Sequence, residues 1–472
     1  MIEKNLLVMK FGGTSVGTPQ AMAQAVKICC DVGQEWRGLV VVTSALSGVT
    51  DLLVTSAERA ARGDLSTFSA AQRELNERHH SLVEQLIADP SDRQTIHQQI
   101  DALLTDFNNL CQAIHILGEA SPRALDAVAA LGERMSVRVL AAALNSAGLP
   151  AQPVESTRCV VTDDHFQNAV PDMAATTLCS CAVIVPILSA GRTPVVTGFL
   201  GATPDGLTTT LGRGGSDYSA SILAVALRAQ EIWIWTDVDG VMTADPRLVP
   251  AARSIPALSY REVAEMAHFG AIVLHPKSIH PAIQNGIGLR VCNTFNPTHP
   301  GTRLLADRDS NGRGVIKAVT AIRGLQLITL SGTGMLGVPG VAGRIFSAAA
   351  TTGISVPLII ESTSEQAICF PVPKDRSQAV IRALQAHLSA EFQRGDIEQA
   401  EISEEVDIIT VVCPGLRSTP GVAGQIFGAL GQAGINVLGI SFGASDVSIN
   451  LIVSAADTVQ ALYHLHRLTG AG

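Results

Sequence analysis

Aromatic residues are scarce in this chain of 472 residues: Phe, Trp and Tyr together make up 4%. Platforms that stack the bases of single-stranded nucleic acid are built from such rings, so that class of function is excluded. Charge is also sparse, at 16% Asp, Glu, Lys and Arg with a formal net charge of −9. No Lys/Arg-rich run occurs, which argues against a duplex-binding face and leaves no nucleic-acid partner expected. The nine cysteines are scattered and form no C-x-x-C pair, so a zinc site is unsupported. They read as reduced, buried thiols of a cytoplasmic protein. The twelve histidines contain no H-E-x-x-H, and no Ser-His-Asp or Cys-His pattern emerges. His79 and His80 fall on a polar helical stretch and read as solvated. Long uninterrupted apolar runs are missing too. Ala182 to Leu200 is broken by Pro186, Gly191, Arg192 and Pro194, so no membrane span is expected. The first apolar run, Leu6 to Met9, ends at Lys10, and no signal peptide is read there.

What remains is a chain with 47% hydrophobic residues, suited to a buried-sheet α/β protein of two to four domains. Leu6 to Met9 and Leu39 to Thr43 are β-rich runs on either side of a helical stretch, Thr18 to Val32, with Pro19 in its first turn. That is a βαβ unit with parallel strands. Ser69 to Leu86 and Ser91 to Ile116 read as two long surface helices. Val183 to Leu188, Pro194 to Leu200 and Glu231 to Thr236 read as further strands, and Ser216 to Ala229 as a helix. Turn signals gather between Asn293 and Arg313, which places a domain boundary there. Beyond it the chain repeats itself. The stretch beginning Pro339-Gly-Val-Ala-Gly-Arg-Ile-Phe recurs from Pro420 as Pro-Gly-Val-Ala-Gly-Gln-Ile-Phe, and 420 − 339 gives an offset of 81 residues. Gly353-Ile354 and Gly434-Ile435 keep that offset, so each copy reads as a βαββαβ module.

Two glycine-rich loops lie far apart in sequence, and each follows a strand and opens a helix. The first is Lys10-Phe11-Gly12-Gly13-Thr14-Ser15; the second is Leu211-Gly212-Arg213-Gly214-Gly215-Ser216-Asp217. Backbone N–H groups at such junctions face anions, and the helix N-terminus adds positive potential. Lys10 supplies a point charge for a β/γ-phosphate bridge, and Gly12 and Gly13 allow close approach. Arg213 offers a bidentate grip on a carboxylate. Thr43 to Thr50 is a hydroxyl-rich loop at a strand's carboxyl end, where open sheets bind ligands. Glu133 reads as standing at the start of an apolar helix, where it either complements the helix dipole or meets an ammonium. Thr236-Asp237-Val238-Asp239 closes a Trp-containing strand and either orients Mg²⁺ or ribose, or forms an Asx-turn. A carboxylate acceptor is already ionised at pH 7, so no activated nucleophile is required.

These residues together resemble the aspartokinases: Lys10-Phe-Gly-Gly-Thr-Ser, Gly132-Glu133, Thr210-Leu-Gly-Arg-Gly-Gly-Ser-Asp, Trp235-Thr-Asp-Val-Asp and Asp245-Pro-Arg, with two C-terminal ACT-type repeats. The resemblance spans the whole chain. It implies an amino-acid-kinase fold over 1–305, a mostly parallel central sheet between helices, and ACT modules at 320–400 and 405–472. It implies ATP-dependent phosphorylation of the β-carboxylate of L-aspartate with Mg²⁺, in a monofunctional enzyme with no homoserine dehydrogenase domain following. Lys10 and Asp217 would be catalytic, Asp217 orienting Lys10. Lys10, Gly12, Gly13, Thr14, Ser15, Thr236, Asp237, Met242, Arg247 and Lys277 would hold the nucleotide. Thr50, Glu133, Arg213, Gly214 and Ser216 would hold aspartate. Ile354, Ser355, Glu361 and Asn436 would border an amino-acid effector, lysine or threonine. A homodimer or homotetramer in the cytoplasm is expected.

The chain departs from the family pattern at Ile272, where relatives carry a nucleotide-site Lys, and at Met242, where many carry Tyr. Lys277 is the nearest substitute in sequence. Pro357, Glu361 and Phe442 match neither the lysine-sensitive nor the threonine-sensitive pattern. The competing reading is a catalytically weakened homologue that serves as an amino-acid sensor.

Overall fold

The computed structural model describes residues 5–268, 274–305, 314–335, 338, 340–361, 366–443 and 446–470. The chain divides into two compact units: Met1–Val241, Ser254–Tyr260 and Val273–Asp309 form one, and Met242–Arg253, Arg261–Ile272 and Ser310–Gly472 the other. Two segments inside the stretch expected as a single domain, 1–305, therefore group with the C-terminal repeats.

The first unit begins with strand β1 (Leu6–Phe11), the short helix α1 (Gly13–Val16), α2 (Pro19–Gly33) and β2 (Gly38–Thr43). Thr18 caps α2 by accepting the Ala21 N–H at 3.2 Å, and Pro19 occupies the position whose missing N–H costs nothing. A helical block follows: α3 (Val49–Ala61), α4 (Leu65–Leu86), α5 (Pro90–Leu117) and α6 (Pro122–Ser146). Then come β3 (Ala151–Val154), α7 (Met173–Ser189), β4 (Thr193–Thr197), β5 (Leu200–Ala202), β6 (Thr208–Thr210), α8 (Gly215–Leu227) and β7 (Glu231–Thr236). The series continues with β8 (Ala257–Ser259), α9 (Tyr260–His268), α10 (Pro276–Gln284), β9 (Gly288–Asn293) and β10 (Thr302–Leu305), of which α9 from Arg261 onward groups with the second unit.

Eight of these strands form one sheet in the order β3-β4-β2-β1-β7-β9-β10-β8, in which only the β9–β10 pair is antiparallel. β5 and β6 form a separate ribbon. The central strands are near-continuous apolar runs because both faces are covered, and Lys10 is the one charge in β1. β1 and β2 run parallel and their neighbours lie on both sides, so loops after β1, β2 and β7 gather at one edge of the sheet.

Three expectations change here. Val183 to Leu188 is not a strand but the end of α7, which Asp172 caps through the Ala174 and Ala175 N–H groups. A short β-branched run is indistinguishable by pattern from a buried helix segment, and the cap decides it. The polar helices α4 and α5 bury Leu75, Leu82, Ile100 and Phe107 in the core of this unit. His79 is buried, not solvated: its Nδ1–H donates to the Leu75 carbonyl at 2.7 Å, and burial lowers its pKa to about 4.

The second unit contains β11 (Ala318–Ser331), α11 (Val341–Ala350), β12 (Ile360–Glu361), β13 (Ala367–Pro373), α12 (Ser377–His387), α13 (Ser389–Arg394), β14 (Gln399–Val412), α14 (Val422–Gln432), β15 (Gly439–Phe442), β16 (Ser448–Ser454) and α15 (Thr458–His466). Its six-stranded sheet has the order β12-β13-β11-β14-β16-β15. The two repeats are not consecutive βαββαβ modules. Leu325 to Ser331 pairs with β13 and with the first half of β14, whereas Ala318 to Ile322 pairs with Ile408 to Val412 in the second half of β14. The strand that completes the second repeat thus comes from ahead of the first. Both β11 and β14 serve two modules, and the register shifts where β11 passes between them, at Gly324 with φ +77°. Each module keeps its own core, one around Ile328, Ile345 and Phe370 and the other around Ile409, Ile426 and Leu451. Ala244 and Val249 join the second core, and the Thr243 carbonyl accepts the Val319 N–H at 2.8 Å.

Candidate functional site

β1 and α8 bring two distant charges together. Lys10 Nζ lies 2.6 Å from Asp217 Oδ1, with both side chains close to nine-tenths buried. β1 ends at Phe11, and the Gly12 N–H donates to the Trp235 carbonyl at 3.2 Å, which ties this loop to β7. Gly13 is also required by the fold itself. Its φ is not positive; a Cβ there would lie 3.0 Å from the Ala45 carbonyl oxygen and 3.2 Å from the Ser47 nitrogen. The glycine lets the loop after β1 sit directly on the loop after β2.

A cavity of about 530 Å³ opens beside this pair. Lys10, Gly13, Thr50, Glu133, Arg213, Gly214, Ser216 and Asp217, all singled out in the sequence, line it. Gly214 takes φ +72° as the N-cap of α8, a left-handed conformation suited to glycine, so the chain turns sharply from β6 into the helix. Arg213 stands exposed on that turn without a carboxylate partner among the described residues.

Glu133 sits eleven residues into α6, not at its start, so the helix-dipole explanation does not apply. Its side chain is 3% exposed. Oε1 accepts the Ala45 N–H at 3.2 Å, while Oε2 is buried with no partner. Desolvation raises its pKa to about 8. A buried carboxylate with one oxygen unsatisfied, facing a cavity, is a receptor for a cation.

The residues expected on the nucleotide side fare differently. Thr14 is exposed beside Gly13, and Gly12 is half-buried. The Ser15 hydroxyl is committed inside the fold: it donates to the Trp235 carbonyl and accepts from Thr294 Oγ1 at 2.7 Å. Thr236 ends β7, and its hydroxyl donates to Asp237 Oδ1 at 3.1 Å. Lys277 Nζ donates to Asn168 Oδ1 at 2.8 Å and lies 5.6 Å from the Tyr218 ring centroid. Met242 and Arg247 belong to the second compact unit, where Arg247 forks onto Asp245 at 2.7 Å and holds that carboxyl below its usual range. Ile272 lies outside the described residues. The four residues expected to border an effector are in the second unit, Ile354 packed on the first module's core and Ser355, Glu361 and Asn436 exposed.

Sequence reasoning missed Asp126, Gln167 and Phe199, which also line the cavity. Gln167 and Phe199 hold φ of +70° and +65°, strained values for side chains of their size. No local pattern announces them. Asp126, a carboxylate within the apolar run Leu125 to Leu131, was a legible signal.

Over residues 5–293 the chain matches the family described as "Amino acid kinase family", and over 328–388 and 409–468 that described as "ACT domain". It is 35% identical to the bifunctional aspartokinase/homoserine dehydrogenase 2, chloroplastic, of Arabidopsis thaliana, across 97% of this chain and 50% of that protein. The chain therefore spans about half the length of the bifunctional relatives it matches. It is 32% identical to aspartokinase 1, chloroplastic, of the same plant, across 98% of this chain and 79% of that one. Among solved structures it superimposes on E. coli aspartokinase III in complex with aspartate and ADP (R-state) with a TM-score of 0.81, at 30% identity, covering 98% and 99% of the two chains. The same protein in complex with lysine and aspartate (T-state) gives a TM-score of 0.79 at 31% identity, again covering 98% and 99%.

Proposed function

The chain belongs to the amino acid kinase family, within the aspartokinases, and from that premise we propose that it transfers the γ-phosphoryl group of Mg-ATP to the β-carboxylate of L-aspartate. The observation that carries this reading is the convergence of three charged features on one cavity: the Lys10–Asp217 pair, the half-satisfied Glu133 and the free Arg213. The substrate has matching ends. Its ammonium meets Glu133 Oε2, its α-carboxylate meets Arg213, and its β-carboxylate points toward Lys10.

The chemistry is positioning and charge stabilisation. A β-carboxylate oxygen attacks the γ-phosphorus in line; the P–O bond to the β-phosphate breaks, and ADP leaves with that electron pair. Lys10 neutralises charge on the transferring group, and Asp217 fixes its rotamer so that little reorganisation is needed. Asp217 is spent on Lys10, and no cluster of three or more metal-ligating side chains occurs among the described residues. Mg²⁺ accordingly enters as part of the nucleotide substrate, bound mainly by its phosphates. Gly12, Gly13, Thr14, Thr236 and Asp237 border the nucleotide.

We further assign 1–305 to catalysis and the repeats at 320–400 and 405–472 to regulation, with the Gly353-Ile354-Ser355 and Gly434-Ile435-Asn436 turns as the effector edge for lysine or threonine. No helix among the described residues is long and apolar enough to cross a membrane; a cytoplasmic homodimer or homotetramer is the proposed form. The test is hydroxylamine trapping of the acyl phosphate with purified protein, Mg-ATP and L-aspartate, with and without lysine and threonine. Aspartate-dependent hydroxamate supports the kinase, and suppression by one amino acid names the effector. Nucleotide binding without product would replace the reading with that of a sensor.

A further inference from the structure

One buried carboxylate at the cavity is not used by the mechanism above. Asp126 is 1% exposed and lies on α6 seven residues before Glu133, two helical turns along the same face. Its Oδ2 accepts the N–H groups of Gln167 and Thr210, both at 2.9 Å, and its Oδ1 accepts the Thr210 hydroxyl at 2.8 Å. Two of the three are backbone N–H groups, which can only donate, and the Thr210 hydroxyl donates as well, so the carboxyl ties three donors to α6. Both oxygens of Asp126 are engaged, whereas Glu133 keeps one without a hydrogen-bond partner.

What Asp126 holds is the approach to Arg213. Thr210 is the last residue of β6, three positions before the arginine, and its carbonyl accepts the Ala169 N–H at 2.9 Å. Gly212 turns at φ +76° against the same segment: a Cβ there would lie 2.9 Å from Asn168 Oδ1 and 3.0 Å from the Gln167 carbonyl. One carboxylate on α6 therefore anchors both walls between which the Arg213 turn runs. Glu133, further along the same helix, faces the same cavity. We propose that Asp126 is a positioning residue that sets the span between Arg213 and Glu133, and with it the fit of a substrate carrying a carboxylate at one end and an ammonium at the other. This rests on the aspartate-kinase reading for its kinetic consequence, but not for its structural one.

Two variants test it. Asp126→Ala removes the acceptor that all three donors share, and Thr210→Val removes the hydroxyl bond alone. For Asp126→Ala the KM for aspartate should rise about ten-fold or more while the KM for ATP stays within about two-fold, with Thr210→Val shifted the same way by less. Hydrogen exchange of the Leu211 to Ser216 turn should accelerate in both variants while exchange in β1 is unchanged. An equal rise in both KM values, or an unaltered KM for aspartate, would overturn the assignment. So would unaltered exchange in the turn, which is measured on the ligand-free protein and needs no turnover. Absence of hydroxamate from the wild-type chain would instead sink the kinase reading, and exchange in the turn would still decide the role of Asp126.

Discussion

Lys10 and Asp217 stand 207 positions apart in the chain and 2.6 Å apart in the fold, because β1 ends where α8 begins. Both are largely shielded from water, so the ammonium is held in one place before substrate arrives. Lys10→Ala should lower kcat by about 100-fold or more, since it removes a charge aimed at the transferring phosphoryl group. Asp217→Asn should lose activity in the same direction, and the double variant should be little worse than Lys10→Ala alone. Additive losses in that double-mutant cycle would show that Asp217 acts on something other than Lys10. Circular dichroism and thermal unfolding would verify that each variant stays folded.

Arg213 acts at the other end of the substrate. Its guanidinium is exposed on the turn before α8 and leaves no buried partner behind when it is removed. Arg213→Ala should raise the KM for aspartate by about 10- to 100-fold and leave the KM for ATP nearly unchanged. Arg213→Lys should recover only part of the loss, because an ammonium cannot fork onto a carboxylate. Full recovery by lysine in steady-state kinetics would mean that charge alone suffices there.

The positions of Lys10, Arg213 and Asp217 were legible because each lies in a glycine-marked junction whose chemistry is local. Glu133 was legible as a residue but not as an environment. Only the fold reveals that it is mid-helix, deeply buried and satisfied at one oxygen. Asp126 shows a different limit: its three donors come from segments 41 and 84 residues away, and no periodicity encodes them. The repeat itself was plain in the sequence, yet its interleaving was not. Nothing in the five residues Ala318 to Ile322 says that they complete the later module. Val183 to Leu188 failed for the opposite reason, since its local pattern favours a strand and the helix is imposed by its cap and its burial against the sheet.

A buried ion pair within the second unit offers a stability test independent of catalysis. Glu262 is fully buried on α9, and Lys317, 13% exposed just before β11, approaches it at 2.8 Å. Removing the lysine ammonium takes a counter-charge away from a carboxylate in a low-dielectric site. Lys317→Met should therefore destabilise this unit by about 3 kcal/mol or more. Adding Glu262→Gln to that variant should restore part of the loss, because the buried negative charge is gone. Urea unfolding of the three proteins measures this, and a double variant less stable than Lys317→Met would contradict it.

The pH behaviour of Glu133 ties its burial to its function. Its pKa is raised from 4.5 to about 8 in the ligand-free fold, with desolvation as the principal cause. Between those values the folded protein keeps a proton that the unfolded chain releases. This group's contribution to stability is thus complete below pH 4.5 and is lost progressively as pH rises toward 8, by at most about 1.4 kcal/mol per pH unit. Glu133→Gln should remove that slope from the pH dependence of the unfolding free energy. Binding reverses the preference, because an ammonium beside Oε2 favours the charged carboxylate. Aspartate binding at pH 7 should therefore release a proton, visible as a binding enthalpy that changes with the ionisation enthalpy of the buffer, and Glu133→Gln should abolish that release. The KM for aspartate in the wild-type protein should fall from pH 6 to pH 8 and level off above. A buffer-independent enthalpy in the wild type would mean that the substrate ammonium is received elsewhere in the cavity.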